Sequence, residues 1–365
     1  MVSNRKYWIW LSSLTQISPR RKNRLLKHFG DPALLWEAGE GELRATMFCT
    51  PGMISALLDK TARSETDRLL EKIYQCNADV VTIQDAGYPL ALKYIADPPV
   101  VLYVRGKLEA DALCVAVVGS RKASFYGLDI ARKLSRELAA HGVTVVSGMA
   151  RGVDAKSHWG ALEGGGKTVA VLGCGVDIIY PPENRELMNR IYGSGSVISE
   201  YLPGTEPMPY HFPARNRIIS GMSQGVVIVE ANEKSGSLIT ADFALEQGRD
   251  VFAVPGNINS VNSTGTNRLI REGAKIIANT GDILEELKIE PHEDFKFCAQ
   301  KGIPDMKLGV NEKSIAQRLL NGPAHIDAIA RDCGISAQLT SSVLTMLVLS
   351  GFVEQLPGKY FKLSE

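Results

Sequence analysis

Between Val115 and Ala278 the chain alternates seven short apolar runs with stretches of helical periodicity, and few folds accept that rhythm. The runs lie near 115–118, 143–146, 168–172, 196–199, 226–230, 250–254 and 275–278. The helical stretches lie near 127–141, 152–163, 183–192, 213–222, 237–247 and 266–272. Short runs rich in β-branched residues suit strands buried on both faces. Strands that alternate with helices pair in parallel through right-handed crossovers, so the spacing predicts a doubly wound α/β sheet. Ligands of such sheets sit beyond the carboxyl ends of the strands.

The first of these units runs from Val115 into Gly119-Ser120-Arg121-Lys122 and then a helix packed through Leu128, Ile130, Ala131, Leu134, Leu138 and Ala139. Glycine lets backbone approach a ligand, N–H groups at a helix start favour an anion, and an arginine can clamp phosphate bidentately. After Gly119 the next glycine is Gly127, so the dinucleotide fingerprint G-x-G-x-x-G is absent and a phosphate site is the expectation. Other strands end in the same chemistry. The second leads into Ser147-Gly148-Met149-Ala150-Arg151-Gly152-Val153-Asp154, and the third into Gly173-Cys174-Gly175-Val176-Asp177 and Tyr180-Pro181. The fifth ends on Glu230 ahead of Ser235-Gly236-Ser237, and the sixth on Pro255-Gly256-Asn257. One glycine turn means little, but five at one sheet edge predict a shared anion groove.

Ahead of the 213–222 helix stands His211-Phe212-Pro213-Ala214-Arg215-Asn216-Arg217. Pro213 suits the first helical position, which leaves Phe212 just outside. Phe212 has two readings, a ring that stacks a base and a hydrophobic staple over the helix start. Arg215 and Arg217 are about 200° apart on a helix, so one is expected on phosphate and the other on an internal carboxylate such as Glu230.

A catalytic reading needs an acid, base or nucleophile beside the anion, and the candidates are Asp154, His158, His211 and Glu230. Asp154 falls in the first turn of a helix and suits the dipole there. His158 follows at helical spacing, which predicts a structural pair with Asp154. No triad, Cys/His pair or metal-spaced cluster stands out, so neither an enzyme nor a cofactor is expected. Cys49, Cys76, Cys114, Cys174, Cys298 and Cys333 are scattered without C-x-x-C spacing, as free thiols of a reducing compartment are. Neither a secretory h-region nor an apolar run of ~20 residues occurs, so a soluble cytoplasmic protein is expected. Forty-one basic and forty acidic residues leave a net charge of +1, so any polyanion site must be local.

Residues 1–75 read as short helices. Tyr7, Trp8, Ile9, Trp10, Leu11 and Leu14 pack the first, Ser18-Pro19 opens a second that Gly30 stops, and Asp31-Pro32 opens a third. Glycine turns between short helices suggest a helix-hairpin-helix-like module. Its Arg20, Arg21, Lys22, Arg24 and Lys27 read either as a DNA-backbone contact or as a solvated basic face. Residues 80–106 read as strand, proline-marked connector and strand at the edge of the main sheet. A linker is expected over 291–310, then a winged helix over 311–365 with three helices and a hairpin. Its third helix, from Ser336 to Leu349, carries no Lys or Arg. Affinity for duplex DNA comes largely from phosphate neutralisation, so a protein-contact or modulatory role fits this unit as well.

The motifs Val-Val-Gly-Ser-Arg, Ser-Gly-x-Ala-Arg-Gly-x-Asp, Leu-Gly-Cys-Gly-x-Asp-x-x-Tyr-Pro, Phe-Pro-x-Arg-Asn-Arg-Ile-Ile and Ser-Gly-Ser-Leu-Ile-Thr occur here in the order seen in the DprA (Smf) family, followed by Val-Pro-Gly and Gly-Thr-Asn-x-Leu-Ile. The chain resembles that family throughout. The resemblance implies an α/β protein, with an extended Rossmann-like parallel-sheet core (76–290) between an N-terminal SAM-like module (1–75) and the C-terminal winged helix. It implies a homodimer that binds single-stranded DNA, protects incoming strands and loads the RecA recombinase during natural transformation, with no membrane partner. Its DNA site would comprise Gly119, Ser120, Arg121, Lys122, Ser147, Gly148, Arg151, Gly152, Gly173, Gly175, Phe212, Arg215, Asn216, Arg217, Ser235, Gly236 and Ser237. The competing expectation is a nucleotide phosphoribohydrolase of the lysine-decarboxylase-like type. That family shares the fold class, but its glycine-richer phosphate loop and acidic catalytic motif are absent here.

Overall fold

The apolar runs form strands, and their order in space places the groove. The computed structural model describes residues 2–290, 309–319, 322–350 and 352–363. Strands β1 (Asp79–Thr82), β2 (Val101–Gly106), β3 (Cys114–Val118), β4 (Thr144–Ser147), β5 (Thr168–Val171), β6 (Ser196–Ser199), β7 (Gly225–Ile228), β8 (Asp250–Ala253) and β9 (Lys275–Ile276) build one sheet. Its order is β1-β2-β6-β5-β4-β3-β7-β8-β9. Neighbours from β6 to β9 pair in parallel, with Val115 opposite Val145 and Val117 opposite Val227. All residues of β3, β4, β5, β6 and β7 are buried, as uninterrupted apolar runs require. Strand order reverses between β3 and β7, and such a switch point opens a crevice at the carboxyl edge.

The segment 80–106 does extend the sheet: β2 pairs antiparallel with β6, and β1 antiparallel with β2. Helices cover both faces. Leu134, Leu138, Val153 and Ile283 close one side over Val115 and Val117, and Leu92, Ile218, Ile219 and Leu238 close the other over Ala116 and Val118. The helix after β3 spans Phe125–Ala140, two residues earlier than its apolar face suggests, because Ser124 caps it by accepting from the Gly127 N–H.

The N-terminal helices, Val2–Ser13 through Thr66–Gln75, enclose Trp10, Leu11, Leu25 and Leu57. They pack on the face of β2 that carries Val101 and Tyr103, and Ser12 Oγ lies 2.6 Å from Tyr103 Oη. In the basic helix Pro19–Phe29, Arg20, Arg21, Arg24 and Lys27 are exposed, but Lys22 is buried and donates to the Ser12 carbonyl at 2.8 Å. Desolvation lowers the Lys22 ammonium to about 8.

Contacts divide the chain into two compact units, Met1–His292 and Glu293–Glu365. Most of the expected linker, 291–308, lies outside the described residues. In the second unit the helices Val310–Leu319, Ile326–Cys333 and Ala337–Leu349 pack with a sheet of β10 (Ala324–His325), β12 (Tyr360–Leu363) and β11 (Val353–Leu356), in that order. Ile315, Ile329, Leu344, Val353 and Phe361 fill this winged helix. Among the described residues no single helix is long and apolar enough to cross a membrane.

Candidate nucleic-acid interface

Two loops at the carboxyl edge are locked together by glycine. Gly152 has φ +76°, and a Cβ there would lie 2.3 Å from the Ser120 carbonyl oxygen. Any larger residue would therefore push apart the turns after β3 and β4. The same contact is drawn closed by the Val153 N–H, which donates to Ser120 O. On the other flank of the first turn the Ser120 N–H donates to Glu230 O at 2.7 Å. The Glu230 carboxylate then accepts from the Ser124 N–H at 2.8 Å and from Ser124 Oγ at 2.5 Å. Glu230 thus anchors the start of the Phe125–Ala140 helix and is spoken for as a base.

This scaffolding holds Arg121 and Lys122 out in solvent at the crevice. Among the described residues neither has an ion-pair partner. The Arg121 guanidinium stands 5.4 Å from the centre of the Phe212 ring. The Tyr180 ring lies 5.4 Å from Phe212, tilted by 32°. Phe212 is half-buried, and a Cβ on Gly173 would lie 3.0 Å from its ring. Arg121, Gly148, Arg151, Gly173, Phe212 and Arg215 converge on one hollow. Its volume is only about 30 Å³, so a base can lie against it and cannot sink into it.

Several expectations change. The helix runs His211–Met222, so Pro213 is its third residue and Phe212 lies inside the first turn. Proline is tolerated there because the N–H groups of the first turn lack intrahelical partners anyway. Arg217 is buried and pairs with Asp97 at 3.1 Å and Glu200 at 2.5 Å, not with Glu230. It does not line the hollow that Phe212 borders. Arg215 is buried as well and donates to the carbonyls of Gly148 and Val171, which ties the ends of β4 and β5 together. Its fit is tight: a Cβ on Gly148 would sit 2.5 Å from the guanidinium. Burial pulls Arg215 down to about 10, and the neighbouring Asp154 carboxylate opposes that shift. Asp154 is itself raised by desolvation.

His158 does not pair with Asp154. Its Nδ1 lies 2.6 Å from Thr168 Oγ1, and burial lowers the imidazole to about 3. Burial likewise pushes the Cys174 thiol up to about 12, far from a reactive thiolate. His211 Nδ1 is 3.1 Å from the Gly173 carbonyl oxygen, while its ring stacks on Tyr201 at 4.0 Å.

The remaining expected residues divide in the same way. Ser147 Oγ turns inward and donates to Val117 O. Gly175 is buried against Asp177 and the Gly204 backbone and does not line the hollow. Arg151 is exposed and paired with Glu183. Ser235 caps the helix Gly236–Glu246 by accepting from the Ser237 N–H, and Asn216 Nδ2 reaches the Gly236 carbonyl. That helix start is a second set of N–H groups along the edge. Tyr180, named beyond the third strand but not among the expected DNA-site residues, also borders the hollow; its signal was an aromatic preceding Pro181 in a turn beyond a buried strand.

The profile of the family described as DNA recombination-mediator protein A matches residues 79–288, and that of the DprA winged helix domain matches 306–359. Protein Smf of Synechocystis is 32% identical over 99% of both chains. The crystal structure of DNA processing protein A from Streptococcus pneumoniae superposes with a TM-score of 0.64 at 36% identity, covering 79% of this chain and 99% of that one. A structure of DNA processing protein A from Helicobacter pylori, described by its single-stranded DNA binding mode, gives a TM-score of 0.53 at 33% identity over 60% of this chain and 99% of its own.

Proposed function

This chain belongs to the DNA recombination-mediator protein A family, and we propose that its carboxyl-edge groove binds single-stranded DNA. The observation that carries the reading is the unpaired Arg121 cation over one side of the half-buried Phe212 ring. A phosphate on Arg121 places the adjoining base within reach of the ring, and a hollow too small for a base favours stacking over insertion. The exposed Lys122 adds a second cation, and the helix start at Gly236 adds backbone N–H groups. Arg215 acts by holding Gly148 in place, not by touching phosphate. With Glu230, His158 and His211 engaged structurally, the reading is of a binding protein, not an enzyme. In this reading the protein works as a cytoplasmic homodimer that shields incoming strands and passes them to RecA, as its resemblance to DprA supports.

Anisotropy titrations of a fluorescent thymidine oligonucleotide across a salt series test the groove. Arg121→Ala is expected to weaken binding and lower the salt slope by about one phosphate's share. Phe212→Leu keeps the apolar cover but loses the ring face, so affinity is expected to fall by ~1–3 kcal/mol at unchanged slope. Wild-type affinity and slope in both variants would remove the strand from this edge.

A further inference from the structure

A second cavity of the first unit is far roomier than the hollow beside Phe212. It is a cleft of about 630 Å³ between the N-terminal helices and the sheet edge, bordered by Lys22 on one side and by Glu200, Tyr201, Tyr210 and His211 on the other. Tyr210, His211 and Phe212 are consecutive, so the cleft and the hollow open on two sides of one helix start. The His211 ring forms part of the wall and contacts the Gly173 carbonyl of the hollow. We infer that this cleft is a second base subsite, in which a nucleotide next to the one on Phe212 turns its base in between the helical module and the core. The inference rests on the groove reading above and extends it.

The lining chooses a base over a phosphate. Glu200 and Glu206 both border the cleft with Lys22, and Arg217 pairs with Glu200 from behind, so the lining has no excess of positive charge to draw a phosphate, while a neutral base edge needs none. Aromatic surface is at hand: Tyr201 and His211 stack, and the Tyr210 ring meets His211 edge-on while remaining 67% exposed at the mouth. Polar complementarity lies deeper. The buried Lys22 ammonium uses one of its three N–H bonds on the Ser12 carbonyl and has no ion-pair partner among the described residues. Glu200 takes the Arg217 guanidinium on Oε2, which leaves acceptor capacity on the carboxylate. A donor on the helical side and an acceptor on the core side of the cleft are the groups that the polar edge of a base can use. The space is that of a small-molecule site, some twentyfold that beside Phe212.

Thymidine oligonucleotides of increasing length, titrated against the full chain, test this. Tyr210→Ala is expected to leave the shortest strand that still binds at wild-type affinity and to cost long strands about tenfold. Tyr210→Phe keeps the ring and is expected to bind all lengths as wild type does. Lys22→Met, with folding checked by circular dichroism, is expected to show the same length-dependent loss. Wild-type binding of every length by Tyr210→Ala would overturn the subsite and leave the groove reading intact. If Arg121→Ala also bound every length like wild type, the groove reading would fall with it.

Discussion

Arg215 and Arg217 stand two positions apart on one helix and end in unrelated surroundings. The sequence foresaw the divergence, because helical geometry turns them by about 200°. It did not foresee that both would be buried. The partners of Arg217 lie outside its helix, Asp97 at 120 residues' separation and Glu200 at 17, and meet it only once β6 and the proline-marked connector are in place. Periodicity carries no information about such long-range pairs. His158 gives the same lesson, since helical spacing pointed to Asp154 while the crossover placed Thr168 against its ring. Its titration has a definite sign. An unfolded histidine gains its proton near pH 6.5, whereas the folded state resists until about 3. Between those values the unfolded chain binds more protons, so this residue's stabilisation is whole above pH 6.5 and is lost as pH falls. Urea midpoints recorded from pH 7 to pH 4 should fall more steeply in wild type than in His158→Gln, by an amount on the order of a few kcal/mol. Equal slopes in the two proteins would show that the imidazole takes its proton without unfolding.

The element that ties the site together is the helix His211–Met222. Its first turn brings Phe212 to the groove and His211 to the wall of the neighbouring cleft, its middle ties β4 to β5 through Arg215, and its buried face packs Ile218 and Ile219 against the sheet. Motif order exposed this helix in the sequence, yet its start was misjudged by two residues because Pro213 fits any place in a first turn. Arg217 fastens the helix to β6 and to the connector, with its side chain 5% exposed and Glu200 at 16%. Removing one partner of a buried ion pair strands the other charge, and typical costs are ~3–5 kcal/mol. Arg217→Met should destabilise the protein at the lower end of that range, about 3 kcal/mol, because Asp97 is already 38% exposed and rehydrates easily. Denaturant titration reads this directly. A midpoint within error of wild type would mean that Glu200 finds water or another cation once Arg217 is gone.

At the scale of the whole chain, alternation of apolar runs and helical stretches was enough to read a parallel sheet and the edge at which ligands gather. Less legible was the seating of the N-terminal helices on β2, which buries Lys22 out of an otherwise solvated basic face. A run of five cations looks the same in sequence whether or not one of them is folded under. The second unit was readable from its caps and glycine turns, and its chemistry separates it from the groove. The groove residues from Gly119 to Ser237 all belong to the first unit, and among the described residues the two cores over the sheet draw on none beyond Ile289. The helix Ala337–Leu349 offers no cation, and on the wing Lys362 is paired with Glu354 at 3.1 Å while Lys359 is exposed. Screened contacts from so few charges add little to the binding of a strand. A chain ending at Glu290 should therefore fold and bind single strands within about tenfold of the full chain, a difference of roughly 1.4 kcal/mol. Anisotropy titration beside circular dichroism and light scattering checks affinity, folding and oligomeric state together. A far larger loss in a shortened chain shown to be folded and of unchanged oligomeric state would mean that the winged helix touches the strand itself.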